Sequence, residues 1–312
     1  MKFKEFLWDI EKSKILDQIV ENDRSIEKTL IRRGFTFVSK KSNLSRKLLI
    51  KLPYLYYKTR DRFYNLMSKE SNRVILKKIC TQKEKFLSSE LYEYWAKGRV
   101  DNFLEELTSL RIISKNRDGS FSVINRDAEF GENLEWYISE VFKREFHCTS
   151  DWGVHIAEAP SGGDYDILAR AENNIIYVES KAKKVSSVSE EELINFLKRD
   201  EFLRPYISIL FIDTTDDIEP LERLFNNIGL KVRELITKHG IKSVMGEPPY
   251  TEKLDNLFFH FQSRLFVVNS KKPILETFKL CFRHRYRTGE LEQAYMGRFW
   301  LHELLLRVEK WW

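Results

Sequence analysis

The chain has 312 residues, 42% hydrophobic and 32% charged, which is enough for two or three domains with real cores. Its most apolar stretch, residues 207–212, is far too short to span a bilayer. The first residues show neither the apolar run nor the cleavage site of a leader, so a cytoplasmic protein away from membranes is expected. Three scattered cysteines (Cys80, Cys148, Cys281) argue against a disulfide framework and structural zinc, and six isolated histidines against a His-metal hydrolase. The net charge of +6 hides an asymmetry: residues 1–130 hold 28 Lys and Arg against 18 Asp and Glu, and residues 31–85 hold 16 against 3. A basic N-terminal part suggests a polyanion partner, and the plainer reading is a solvated, lysine-rich surface.

Residues 1–71 form the first predicted unit, a basic helical region. Phe6-Leu7, Ile10, Ile15-Leu16 and Ile19-Val20 recur at helical spacing. Arg32, Arg33, Lys40, Lys41, Arg46, Lys47 and Lys51 follow, and beyond Pro53 Tyr54, Tyr56, Tyr57, Phe63 and Tyr64 alternate with Lys58, Arg60 and Arg62. Such interleaving can stack bases and hold phosphates, or simply pack a core beneath a charged surface. Residues 72–128 read as a winged-helix-like unit. Asn72 is expected to cap a helix through Cys80, with further helices over 87–96 and 99–110. Strands 112–113 and 121–124 would join at Arg117-Asp118-Gly119-Ser120. The third helix would read a groove, yet it carries Asp101, Glu105 and Glu106. Lys115 and Arg117, with Lys97 and Arg99, are the better expected contacts. The alternative is a module that only packs on its neighbour.

Residues 129–219 form the third unit. Trp136, Ile138, Val141 and Phe142 space as a buried helix face. A first strand is expected within 148–158. The stretch 162–184 then reads GGDYDILARAENNIIYVESKAKK, two mostly apolar runs (165–169 and 175–178) around Asn173-Asn174, which predicts a β-hairpin. Glu179 and Lys181, two apart on a strand, share a face, and Asp166 stands on the partner strand. Two carboxylates and an ammonium then converge. That set can hold Mg²⁺, which takes one or two protein carboxylates and keeps most of its waters. The lysine would serve the attacking water and the charge on phosphorus. The plainer reading is a surface hairpin with a Glu–Lys pair of little energetic weight. Lone His147 and His155 are expected to be satisfied locally, and Asp217 to cap a helix rather than form a second acidic site with Asp216.

Asp166 followed by Glu179-Ser180-Lys181 resembles the signature of the PD-(D/E)XK nuclease superfamily. Gly131-Glu132-Asn133-Leu134-Glu135, opening the first helix, resembles the family's helix that often carries an extra metal-site glutamate, and Glu135 is the matching position. A helix over 190–198 and a strand over 206–213 complete the family's αβββαβ order. The likeness spans residues 131–213. No proline precedes Asp166, and the glutamine many members show on the following helix is absent, Asn195 being the nearest substitute. The resemblance implies an α/β, restriction-endonuclease-like core flanked by the N-terminal helical and winged-helix region. It implies a Mg²⁺-dependent endonuclease, with Mn²⁺ as a substitute, acting on DNA. Asp166 and Glu179 would hold the metal, Lys181 would serve the water, Glu135 would support the site, and Lys183 would hold the scissile phosphate or replace Lys181. Two alternatives stay open: a non-catalytic DNA-binding regulator or architectural protein with an inactive nuclease fold, and an RNA-cutting effector.

Residues 220–312 are expected to form a helical C-terminal domain. Leu221, Leu224, Phe225 and Ile228, then Val232, Leu235 and Ile236, repeat at helical spacing, Gly246-Glu247-Pro248-Pro249 breaks the pattern, and Trp311-Trp312 ends an aromatic tail. Lys279, Arg283, Arg285 and Arg287 make a second, smaller basic cluster. Packing on the core, a homodimer surface, or guidance of a substrate strand are the roles open to this part.

Overall fold

The structure is a computed structural model that describes residues 25–42, 45–50, 57–82, 84–160, 162, 164–172, 174–227, 252–254, 258–261 and 264–292. The apolar repeat over 6–20, Lys51, Pro53, Tyr54, Tyr56, Gly163, Asn173, residues 228–251 and the Trp311-Trp312 tail lie outside the described residues.

Helix α1 (Ile26–Arg32) starts on Ser25, whose hydroxyl accepts Lys28 N–H. Strand β1 (Phe37–Ser39) follows, then α2 (Tyr57–Ser68), α3 (Glu70–Gln82), α4 (Lys97–Ser109), the hairpin β2 (Ile113–Lys115) and β3 (Phe121–Val123), and α5 (Phe130–Glu145). Strands β4 (Thr149–Ile156), β5 (Asp164–Ala171) and β6 (Asn174–Lys181) lead to α6 (Glu190–Leu203) and β7 (Ile207–Ile212). The chain then gives β8 (Glu252–Leu254), β9 (Phe258–Phe261), β10 (Leu265–Asn269) and α7 (Ile274–Glu292). From α5 to β7 the order is αβββαβ, as expected, and the fold class is α/β.

One eight-stranded sheet runs β1-β4-β5-β6-β7-β10-β9-β8. Pairs β6–β7 and β7–β10 are parallel and the remaining pairs antiparallel. All six residues of β7 are buried, the mark of a strand covered on both faces. Tyr177 of β6 meets Phe196 of α6 at 5.5 Å between ring centroids. On the other face Phe211 of β7 meets Phe278 of α7, and Phe278 stacks on Phe142 of α5. The sheet is thus held between α6 on one side and α5 with α7 on the other.

Two stretches depart from the expected helices. Residues 37–39 form an edge strand against β4 within the region read as helical, and β8 to β10 extend the same sheet where residues 220–312 were expected to be helical. The run Leu265-Phe266-Val267-Val268 is continuous apolar sequence, which a buried strand and a buried helix share, and the helical spacing around it obscured the strand.

Residues 72–128 hold two of the three expected helices and a short hairpin, with shifted detail. Helix α3 begins two residues before Asn72, which is not a cap: its amide lies buried and donates to Leu66 O at 2.9 Å. The expected second helix is one 3₁₀ turn, Ser88–Leu91, where Glu90 folds back to accept Leu87 N–H. The β2–β3 turn uses Asp118, which accepts both Ser120 N–H and Ser120 O–H. In the β5–β6 turn Glu172 is left-handed (φ 54°), and Asn174 already opens β6 opposite Ala171. Asp217 does cap, accepting Glu219 N–H at 3.2 Å.

Two buried ion pairs fasten the layers. Arg264 grips Asp200 of α6 at 2.7 and 2.8 Å, and Ser208 of β7 donates to the same carboxylate at 2.6 Å. Arg73 of α3 donates to Asp213, just past β7, and to Ser270 just past β10. Both guanidiniums are nearly solvent-free, so each charge depends on its partner to be tolerated there.

Candidate active site

The regular β5–β6 ladder stops at the pair Ile167↔Val178. At the next step a side chain takes over from the backbone: Asp166 Oδ2 accepts Ser180 N–H at 2.8 Å, with the Ser180 hydroxyl at 3.3 Å. The two strands part at this point, and the acidic residues gather in the fork. Glu179, 3% exposed, accepts Tyr177 O–H at 2.6 Å, Lys181 Nζ at 2.8 Å and Arg199 at 3.1 Å on each oxygen. A carboxylate offers about four acceptor positions, so these donors fill Glu179. Sequence alternation thus placed Glu179 and Lys181 together correctly, and Asp166 reaches the backbone of the residue between them.

Glu135 of α5 approaches from the other face of the sheet. It shares Lys41 with Glu132: the ammonium stands 3.1 Å from a carboxylate oxygen of each, and Ser45 O–H holds the other Glu132 oxygen at 2.7 Å. Burial pushes the Glu135 carboxyl up to about 7, Lys41 opposes the rise, and Glu132 and Glu179 add to it. Burial likewise raises the Asp166 carboxyl well above the usual carboxylate range, with Glu179 and Glu135 adding and Lys181 and Ser180 N–H opposing. For Lys181, burial disfavours the ammonium, but the carboxylates of Glu179, Asp166 and Glu192 outweigh it and its pKa is raised. Lys181 therefore stays charged at neutral pH in the free protein. It can stabilise negative charge directly, whereas it accepts a proton only after its carboxylates are engaged elsewhere.

Four residues in this cluster were missed by the sequence reading: Lys41 as an inward ligand, Arg199, Glu192 and Tyr177. The sequence places Lys41 in the basic run expected to meet nucleic acid. Its backbone N–H instead donates to Trp152 O (3.1 Å) and Gly153 O (3.2 Å), and its ammonium lies 5.7 Å from the Trp152 ring centre. Gly153 makes the crossing possible. It has φ 54°, and a Cβ built there would stand 2.4 Å from Lys41 Cδ. A lone glycine inside a strand pattern is the signal that marks such a close approach. Arg199 and Glu192 sit seven apart on α6, two turns on one face, flanking Asn195. That spacing was legible, though nothing in it pointed to β6.

The expected nucleic-acid contacts divide. Arg32 and Arg33 are exposed at the end of α1, with Arg33 donating to Leu203 O at 3.5 Å. Lys40 pairs with Asp151 at 2.9 Å, and Lys115 and Arg117 are exposed beside the β2–β3 turn. Lys183 lies past the end of β6 and pairs with Glu192 at 2.5 Å, the carboxylate that also stands 3.9 Å from Lys181. His155 is satisfied by Asp164 at 2.9 Å.

Among the described residues no group of three or more His, Cys, Asp and Glu side chains is arranged to hold a metal ion. Two neighbouring carboxylates remain, Asp166 with Glu179, oxygen donors of the kind a hard cation takes: burial and the nearby Glu179 raise the Asp166 carboxyl, and a positive charge bound there would relieve that. Among the described residues no helix is long and apolar enough to cross a membrane.

No family model and no curated protein sequence matches the chain. Two solved structures are similar. One is protein VC1899 from Vibrio cholerae, at 14% identity and TM-score 0.42 over 73% of this chain and 57% of that one. The other is Can2 from Sulfobacillus thermosulfidooxidans, solved in complex with cyclic tetra-adenylate, at 11% identity and TM-score 0.36 over 65% of this chain and 55% of that one. The chain spans little more than half the length of either, and likeness at this level carries no functional argument.

Proposed function

We propose that the chain is a divalent-metal-dependent nuclease of the PD-(D/E)XK type that hydrolyses phosphodiester bonds, with DNA as its expected substrate. The observation that carries this reading is the fork at Ile167↔Val178, where Asp166, Glu179 and Lys181 meet. Asp166 and Glu179 would hold Mg²⁺ or Mn²⁺, which when bound polarises a phosphoryl oxygen and acidifies a coordinated water. Lys181 contributes positive charge beside the reacting phosphate and releases Glu179 as it does so. Glu135, kept in place by Lys41, adds negative charge from the α5 side. Arg199 holds the Glu179 carboxylate in one orientation from α6.

A second reading, a non-catalytic nucleic-acid-binding protein on a nuclease fold, has one observation in its favour: Arg199, Lys181 and Tyr177 already occupy Glu179. Labelled duplex, branched and single-stranded DNA, and RNA of matching sequence, incubated with and without Mg²⁺ or Mn²⁺, separate the two. Divalent-dependent cutting is expected. Lys181→Ala should lower the rate at least about a hundredfold with little change in affinity, because its charge acts mainly at the barrier. Asp166→Ala should also stop cleavage while keeping or tightening binding. Cutting of RNA alone would move the substrate to the effector alternative. A wild-type protein that cuts nothing with either ion would leave the binding protein as the reading.

A further inference from the structure

A groove of about 320 Å³ lies between the end of α2, the joint at Lys69 and helix α4. It is separate from the carboxylate fork. Three cations line it, Arg62, Lys69 and Arg99, against one carboxylate, Glu106. Arg99 lies with its guanidinium 3.9 Å from the Trp95 ring centre and donates to Ser71 Oγ at 3.2 Å, so its fork is held flat and in place. Arg62 donates to Ser109 Oγ at 2.8 Å and stands 3.8 Å from Glu106, at the outer limit of an ion pair. Lys69 is exposed, in the single residue between α2 and α3. Asn65 and Asn102 add amides that both donate and accept.

The groove is also tied to the fork. Asn72 lines it, and the next residue, Arg73, holds Asp213, whose N–H donates to Lys181 O at 2.8 Å. The groove therefore adjoins the end of the sheet that carries Lys181. Farther along α3, Lys77 stands within electrostatic reach of Lys184 in the segment after β6, with Asp213 and Asp216 also beside it.

We infer that this groove holds the phosphodiester backbone of a nucleic-acid strand whose continuation runs to the parting of β5 and β6. The inference rests on the reading of a nucleic-acid substrate. Planar guanidiniums suit phosphate, and the amides of Asn65 and Asn102 can donate to and accept from base edges.

The test is fluorescence anisotropy of labelled single-stranded and duplex oligonucleotides on the full chain in EDTA, from about 50 to about 200 mM salt. The combined variant Arg62→Ala, Lys69→Ala, Arg99→Ala should lose at least about tenfold in affinity, and its log-affinity against log-salt slope for single strands should fall by about 2. Lys69→Ala alone, whose exposed side chain keeps the fold out of question, should lower the slope by about 0.7. Circular dichroism melting checks that the combined variant folds. Wild-type affinity in both variants, with the loss appearing instead in Lys115→Ala, Arg117→Ala, would overturn the inference. So would poly-glutamate competing as well as an oligonucleotide of equal charge, or a wild type that binds no oligonucleotide. Binding in EDTA is independent of cleavage: normal binding by the groove variants refutes the groove alone, and binding without cutting refutes catalysis alone.

Discussion

Gly153→Ala isolates the device that carries Lys41 into the carboxylate cluster. The substitution has two costs. A residue with a Cβ at φ 54° bears left-handed strain of about 1–2 kcal/mol. The new methyl would also stand 2.4 Å from Lys41 Cδ, so the lysine stem must leave and both ion pairs, to Glu132 and Glu135, are lost. The Lys41 side chain is 37% exposed, so those pairs are screened and worth together about 1 kcal/mol. The expected loss is therefore about 2–3 kcal/mol, a fall in Tm of about 5 °C for a chain of this size. Urea unfolding of wild type, Gly153→Ala, Lys41→Ala and the double variant completes the cycle. With no lysine to strike, Gly153→Ala should cost only the strain. Equal costs in the two backgrounds would refute the reasoning, because the glycine would then serve its own backbone and not the passage of Lys41.

Stability should fall as pH rises from about 4.5 to about 7, because folded Glu135 keeps a proton that the unfolded chain has released in that window, and Asp166 acts with the same sign. Glu135→Gln should flatten that stretch of the curve in urea titrations, and a wild-type curve that climbs through it would contradict the assignment. Asp200→Ala strands the Arg264 guanidinium in the interior and should cost about 3–5 kcal/mol in the same assay; a loss below about 1 kcal/mol would mean water reaches that pair. Arg199→Met should tighten Mn²⁺ binding at least about tenfold by calorimetry, since a unit charge a few ångströms away is worth about 4 kcal/mol at an effective dielectric of about 20. Unchanged Mn²⁺ affinity would place the ion away from Glu179.

The central hairpin was legible because its signals are local. Apolar runs at 165–169 and 175–178 specify two strands, and a period of two puts Glu179 and Lys181 on one face whatever surrounds them. Helix α5 was equally plain from the spacing of Trp136, Ile138, Val141 and Phe142. What stayed hidden depends on contacts between distant segments. Lys41 meets Glu135 from 94 positions away, and its basic neighbours Lys40, Arg46 and Lys47 made it look like surface. Arg199 reads as an ordinary charge on an amphipathic helix until β6 is placed beneath it. Strands β8 to β10 are three to five residues each, too short for their period to stand out, and they take their shape from β7.

Among the described residues the sheet is wide, yet the strands at its two ends are minimal. Strand β1 has three residues with an irregular register against β4, and β8 has three at the far side. As described, each is a stub that offers a newcomer about three backbone hydrogen bonds, at about 1 kcal/mol apiece. Docking a second chain costs more than that in lost freedom alone, at least about 4 kcal/mol. Among the described residues, growth of the sheet from molecule to molecule through β1 or β8, and the fibrous aggregation that begins the same way, is therefore discouraged.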